Sequence, residues 1–478
     1  MPFPYHKING QDIAHFRTII GEERIVEKEA VKKEYHHDEM PEYGVYAPDL
    51  LIEAINKEEI SQIMKYAYEK NIPVTVRGAG TGLAGGATCK YGGILLSVMK
   101  MNRILGVDMD NMTITTEPGA LLSEVADAAS AAGLFYPPDP GERTASIGGT
   151  VVTNAGGMRA VKYGVTRDYV RAIEAVLPDG EIVNFSSNVV KNTTGYDLKD
   201  LVIGSEGTLC ILTQVTLKLI AKPKLTWSLV IPYDSIEHCI STVPKLLKMS
   251  FVPTAIEFTE TDVLDMVEKH LNKRFPDRSS DAYLIVMLDA NTKEEMEKMV
   301  EEAAGTAIGA GAKDVLISNT AERSASVWSV RAGTLEGLKA DSLSQEECDV
   351  VVPRSKIAEY VLEAKKISKK HGIRIVTVGH AGDGNIHTEL LKDPHLTEQE
   401  WKVNTHACLE ELYAVSKRLG GQLSGEHGIG IGRLEHMRHF VGERMYRLFQ
   451  SVKMVFDDKN ILNPGKVVAL DSKGRCGA

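Results

Sequence analysis

Glycine is unevenly spread along this chain. Four windows, 78–93, 141–164, 379–384 and 420–432, hold 22 of its 42 glycines within 59 of its 478 residues. Glycine gathered this way marks backbone that turns sharply or approaches another group closely. The chain is therefore expected to fold around loops that hold something, and chemistry is to be sought inside them.

Composition removes several function classes. Lys plus Arg number 55 against 65 Asp plus Glu, a formal charge of −10, so neither a basic nucleic-acid surface nor charge-driven attachment to an anionic membrane is expected. No uncharged apolar run approaches the roughly 18 residues of a membrane-spanning helix. The six cysteines, Cys89, Cys210, Cys239, Cys348, Cys408 and Cys476, form no CxxC pair. That argues against cysteine-held zinc, an iron–sulfur cluster or a disulfide framework. The N-terminus MPFPYHKINGQDIAHF has no basic-then-apolar leader pattern. A cytoplasmic protein is expected.

Length gives a prior of about three domains. Residues 1–44, rich in Glu and Lys, read as a helical N-terminal extension. From 45 to 222, short strands alternate with glycine-rich loops, and Pro178-Asp179-Gly180 is a hairpin signal. Past residue 222 the glycine thins. Strand–helix alternation over 227–350 suggests an α+β layer, a sheet with helices on one face. The assignment is an α+β chain with domains over 45–222 and 223–425 and a C-terminal segment over 426–478.

Three loops invite a phosphate-bearing ligand. The first, Arg77-Gly78-Ala79-Gly80-Thr81-Gly82, follows an apolar strand. Its glycines let backbone N–H groups converge on an anion. The segment after it, LAGGATCKYGG, is a poor helix, so a standard Rossmann turn is disfavoured. The second runs from Pro138 and Asp139 through Ser146, Gly148, Gly149, Thr153, Asn154 and Gly156. The third is Gly204-Ser205-Glu206-Gly207-Thr208. Each alone reads as a structural loop; together they argue for one extended ligand.

Two further loops carry imidazoles. In Gly379-His380-Ala381-Gly382-Asp383-Gly384-Asn385-Ile386-His387, two histidines flank a tight turn between apolar strands, so a hairpin brings both rings to one point. Ser424-Gly425-Glu426-His427-Gly428 adds a carboxylate and a third imidazole. Two histidines and one glutamate form a first-row transition-metal set with open positions. The remaining histidine is then free for proton transfer.

Taken in order, RGAGTGLAGGA, PPDP, SIGGTVVTNAGG, KYG, GYDLKDLVIGSEGTL, GHAGDGNIH, SGEHGIG and LNPGK resemble the FAD-linked D-2-hydroxyacid dehydrogenases. That group includes the glycolate oxidase flavin subunit, D-lactate dehydrogenase and D-2-hydroxyglutarate dehydrogenase. The resemblance covers roughly 40–468. It implies a vanillyl-alcohol-oxidase-type FAD domain, an α+β cap with an antiparallel sheet, and a C-terminal segment returning to the FAD domain. By the same resemblance, Arg77, Gly78, Ala79, Gly80, Thr81, Gly82, Ser146, Gly148, Gly149, Thr153, Asn154 and Gly156 hold the pyrophosphate and neighbouring FAD atoms. Pro138, Asp139, Glu206, Gly207, Thr208 and Asn463 line the rest. Some relatives tether FAD through a histidine in the first loop; none stands there, so noncovalent FAD is implied.

The resemblance also makes His380, His387 and Glu426 ligands of one divalent transition metal (Zn, Mn or Fe). His427 becomes the general base, Asn385 a neighbour of metal and substrate, and Arg331 the partner of the substrate carboxylate. Two substrate-contacting positions of the hydroxyglutarate branch are not matched, where Leu335 and Glu347 stand. A small acid, D-lactate or glycolate, is favoured over D-2-hydroxyglutarate. Hydride passes to the flavin, and electrons leave to an external acceptor, an electron-transfer flavoprotein or an iron–sulfur companion subunit. The competing readings are a non-redox FAD enzyme of the alkyl-glycerone-phosphate synthase type, a metallohydrolase and a non-catalytic electron-transfer subunit. The first carries consecutive histidines where this chain has Gly425-Glu426-His427; the others leave motifs unexplained.

Overall fold

The structure, a computed structural model, describes residues 4–342 and 344–470. The chain divides into two compact units. The first comprises residues 1–155, 165–222 and 427–478; the second comprises 156–164 and 223–426.

The first unit contains a four-stranded sheet in the order Ile25–Glu27, Leu50–Glu53, Ile94–Ser97, Val74–Arg77. The last three strands are parallel, which requires a crossover. The helix Lys57–Lys70 supplies it. Asn56 caps its start by accepting from the Glu59 N–H, and Asn71 ends it in the left-handed conformation. Its Ile60, Ile63, Met64 and Ala67 recur at helical spacing and are buried with Leu50, Ile52, Val74 and Leu96. A second, five-stranded sheet is antiparallel throughout, in the order Ile104–Asp108, Thr113–Thr116, Ile211–Lys218, Val170–Val176, Ile182–Phe185. Its Val170–Val176 and Ile182–Phe185 strands form the hairpin expected around Pro178-Asp179-Gly180. The C-terminal segment is laced into this unit: Val74 N–H donates to Ile461 O, and Asn463 N–H to Val74 O.

The second unit is built on a seven-stranded antiparallel sheet. Its order is Leu316–Ser318, Leu225–Tyr233, Ala282–Ala290, Ala255–Glu260, Arg374–His380, Asn385–Leu391, Gln345–Val351. On one face, Val230, Ile285, Val376 and Leu391 pack with Val263, Val267, Val327 and Leu338 from three helices. On the other, Tyr360 of the helix Ile357–His371 meets Cys348 and Thr388 through its hydroxyl.

Three features differ from the sequence reading. Residues 1–44 are no separate helical extension. Among the described residues, this stretch holds one α-helix, Gly10–Ile20, whose Phe16 and Ile20 enter the first unit's core, and an edge strand paired with Leu50–Glu53. Their polar composition hid these apolar anchors. Residues 156–164 belong to the second unit, which ends at Glu426, one residue beyond the expected boundary. Helices cover both faces of the cap sheet rather than one, because its strands carry apolar residues on both sides.

Candidate active site

The Gly379–His387 segment forms the hairpin its sequence suggested. Gly384 N–H donates to His380 O, and Asn385 N–H to the Asp383 carboxylate, closing the turn. In the register, His380 faces Asn385 and Val378 faces His387. Alternation along each strand then puts His380, Asn385 and His387 on one face. The His380 and His387 Nε2 atoms lie 3.4 Å apart. Glu426 Oε1 lies 3.1 Å from the first and 3.4 Å from the second.

These separations suit a metal. Bonds of about 2.0–2.2 Å from one ion place neighbouring ligand atoms roughly 3.0–3.5 Å apart. Protonation supports the same conclusion. His380 Nδ1 is 2.8 Å from Glu257 Oε1. A carboxylate only accepts there, so Nδ1 carries a proton and Nε2 is the ring atom turned toward Glu426. Burial works against charge on His380, yet the Glu257 and Glu426 carboxylates outweigh it and hold its pKa well above the ordinary range. The two carboxylates around His380 thus favour positive charge at this site. Asn385 Oδ1 is buried on this face without a hydrogen-bond partner among the described residues.

Buried carboxylates back the triad, a common outer layer of metal sites. Glu257, fully buried, accepts from His380 through one oxygen and from Arg331 Nε at 2.8 Å through the other, which also lies 2.8 Å from Arg331 Nη2 as an ion pair. Burial would raise its pKa, but His380 and Arg331 reverse this and hold it low. Glu347 Oε1 lies 3.5 Å from His387 Nδ1. Asp349, also fully buried, accepts from Asn385 Nδ2 at 2.7 Å through Oδ1. Its Oδ2 accepts from Ser424 Oγ, Gly425 N and Glu426 N at 2.8–3.0 Å. Asp349 thus clamps the Glu426 loop to the hairpin. Two glycines leave the room this requires: a Cβ on Gly425 would fall 2.0 Å from Asn385 Nδ2, and one on Gly156 would fall 2.7 Å from Glu426 Oε2. Gly156, expected among cofactor contacts, packs against Glu426.

Asp349→Asn places an amide NH₂ or a weaker acceptor against these N–H donors. We expect divalent-metal affinity to fall roughly 10–100-fold, read by titrating Mn²⁺ into wild type and variant. Equal affinities would show that the clamp does not aim Glu426.

Glu257, Asp349 and Glu347 were missed as site residues. Their signal is faint: Glu257 stands between Ile256 and Phe258, and Glu347 and Asp349 stand at period two in the strand Gln345–Val351. His427 follows Glu426 directly, begins the first unit's last segment and is half-buried.

The glycine loops of the first unit come together differently. Ser146 Oγ accepts weakly from Ala79 N–H at 3.4 Å and from Gly149 N–H at 3.3 Å. A Cβ on Gly78 would fall 2.1 Å from that oxygen. Among the described residues, the N–H groups of Gly80, Thr81 and Gly82 donate to no protein acceptor, and this loop is partly exposed. Such a cradle fits a phosphate-bearing group. Other predicted contacts have framework partners. Arg77 donates to the Glu34 and His37 carbonyls. Gly148 N–H donates to Pro118 O, Thr153 Oγ to Gly149 O, and Asn154 accepts from Arg167 N–H. The Glu206 carboxylate accepts from Ile429 and Gly430 N–H, both at 2.7 Å. Asn463 bridges the Val76 N–H and Glu206 O. The Gly207 Cα faces Asn463 Nδ2, and the Thr208 hydroxyl donates to Ser205 O. Pro138 is buried and Asp139 half-buried.

Comparison with known proteins gives these features a family. Residues 48–186 match the FAD binding domain, and residues 222–467 match the C-terminal domain of FAD linked oxidases. A D-lactate dehydrogenase of Anaerostipes hadrus is 43% identical over 97% of this chain and 98% of that one. The glycolate oxidase subunit GlcD of Bacillus subtilis is 34% identical over 96% of each. The 4-ethylphenol oxidase of Gulosibacter chungangensis shares the fold, with a TM-score of 0.78 at 17% identity over 99% of this chain and 100% of that one. With its FAD-binding domain and near full-length likeness to these enzymes, the chain belongs to the FAD-linked hydroxyacid dehydrogenase family.

Proposed function

We propose that the protein oxidises a small D-2-hydroxy acid, D-lactate before glycolate, to the 2-oxo acid with the help of one divalent metal. The convergence of His380 Nε2, His387 Nε2 and Glu426 Oε1 within 3.4 Å carries this reading. These atoms would hold a first-row ion, Zn, Mn or Fe. When bound, noncovalent FAD accepts the hydride from the substrate Cα, and the metal stabilises negative charge on the substrate oxygen.

The chain's own residues do the rest. Arg331 meets Glu257 through its Nε and Nη2 edge, which leaves Nη1 to pair with the substrate carboxylate. Asn385 orients the hydroxyl and His427 takes its proton. The Gly78–Gly82 backbone with Ser146 and Gly149 would hold the pyrophosphate. Gly148, Thr153, Asn154, Glu206, Gly207, Thr208 and Asn463 would shape the channel around it, with Pro138 and Asp139 at its edge. The Glu347 carboxylate beside His387 favours a monocarboxylate over D-2-hydroxyglutarate.

Cys89, Cys210, Cys239, Cys348 and Cys408 are buried and in no disulfide among the described residues, while Cys476 lies outside the described residues. Electrons therefore leave to an acceptor outside the chain, an electron-transfer flavoprotein or an iron–sulfur companion. Among the described residues no helix is long and apolar enough to cross a membrane. Anaerobic mixing with D-lactate, L-lactate, glycolate and D-2-hydroxyglutarate tests the assignment. Fastest flavin bleaching by D-lactate is expected; bleaching only by L-lactate or D-2-hydroxyglutarate overturns it.

A further inference from the structure

We infer that Glu257 is a positioning residue that makes metal binding and substrate binding depend on one buried carboxylate. The inference rests on the proposed roles of His380 and Arg331. Glu257 stands in the largely buried strand Ala255–Glu260, and Phe258 pairs with Gly379 in the neighbouring strand, bringing Glu257 beside His380. Its side chain is fully buried, and its two oxygens are divided between two partners. Oε1 takes the His380 Nδ1–H at 2.8 Å; Oε2 takes Arg331 Nε at 2.8 Å and lies 2.8 Å from Nη2 as an ion pair.

The division has two consequences. The first bond fixes the His380 tautomer, so Nε2 is the ligand atom and its basicity is raised. The second holds the guanidinium plane by a charge-assisted contact along one edge and so directs its other edge. The Arg331 contact depends on a formal negative charge, since a buried cation beside an uncharged partner is strongly disfavoured. Neither partner can be released without disturbing the carboxylate that serves the other. Glu257 forms no part of the proposed triad and transfers no proton.

Glu257→Gln tests this. The amide keeps one acceptor oxygen and turns an NH₂ toward either Arg331 or His380, where a donor is already present. We expect the Kd for Mn²⁺, titrated alone into the FAD-loaded protein, to rise at least tenfold. The KM for D-lactate should rise as well, and saturating Mn²⁺ should restore most of kcat while leaving KM high. A residue of purely structural importance would not separate the two constants in this way. Variant affinity and KM within twofold of wild type overturn the inference, whereas wild type without stoichiometric Mn²⁺ overturns the metal reading beneath it. Should the glutamine variant not fold, Glu257→Asp keeps the charge but is one methylene too short to reach both partners. Unchanged Mn²⁺ affinity and unchanged KM in that variant also overturn the inference.

Discussion

His387→Ala is expected to abolish stoichiometric binding of divalent metal and to slow flavin reduction by D-lactate about 1,000-fold. The estimate follows from several kcal/mol of Lewis-acid stabilisation at about 1.4 kcal/mol per decade. The His387 ring is buried in the sheet face, and its Nε2 lies within 3.4 Å of both His380 Nε2 and Glu426 Oε1. Removing it leaves only two of the three proposed ligands, His380 and Glu426. Metal analysis of the purified variant, with stopped-flow reduction of its flavin, checks both parts. Full metal content would show that His387 is not a ligand. Loss of metal with unchanged flavin reduction would show that the ion does not serve the chemistry.

The second large effect concerns the framework of the first unit. Lys453 is buried in the helix Glu443–Phe456, and its Nζ bonds Thr208 O, Asp457 Oδ2 and Leu462 O at 2.6–2.8 Å. Asp457, fully buried, also accepts from the Ile461 and Leu462 N–H groups. One ammonium thus ties the third glycine loop to the C-terminal segment. Lys453→Met keeps the side-chain length but leaves Asp457 charged without its cation and two carbonyls without a donor. Breaking a buried pair from one side costs roughly 3–5 kcal/mol. Denaturant unfolding should show this loss in the first unit together with weakened FAD retention. Wild-type stability would mean that the loop and the C-terminal segment are held by something else.

The convergence of the two histidines in the candidate site was legible in the sequence because its geometry is local. His380 and His387 are joined by a tight turn, and the period-two alternation of paired strands puts both on one face whatever the rest of the sheet does. Glu426 was legible because it shares a glycine-bounded loop with His427. Glu257 and Asp349 were not, because their positions are set by strands distant in sequence. Glu257 reaches His380 across 123 positions, and Asp349 reaches the Glu426 amide across 77. The cofactor loops show the converse limit. Gly80, Thr81 and Gly82 kept backbone donors available, whereas Arg77, Glu206 and Asn463 also bond other segments of the first unit. A polar residue in a glycine-rich loop has two uses, holding a ligand or holding the loop, and local sequence does not distinguish them. The N-terminal residues were misjudged for a related reason: Phe16 and Ile20 are few, yet they suffice to anchor a helix on a core built elsewhere.

The account turns on whether the converging imidazoles and carboxylate hold an ion the oxidation needs. Anaerobic single-turnover reduction of the flavin by D-lactate measures this directly, using wild-type protein as purified, after exhaustive chelation, and after Mn²⁺ or Zn²⁺ is restored. The account predicts fast bleaching, then loss of bleaching with FAD still bound, then recovery. Bleaching at an undiminished rate in protein proven free of metal would contradict it.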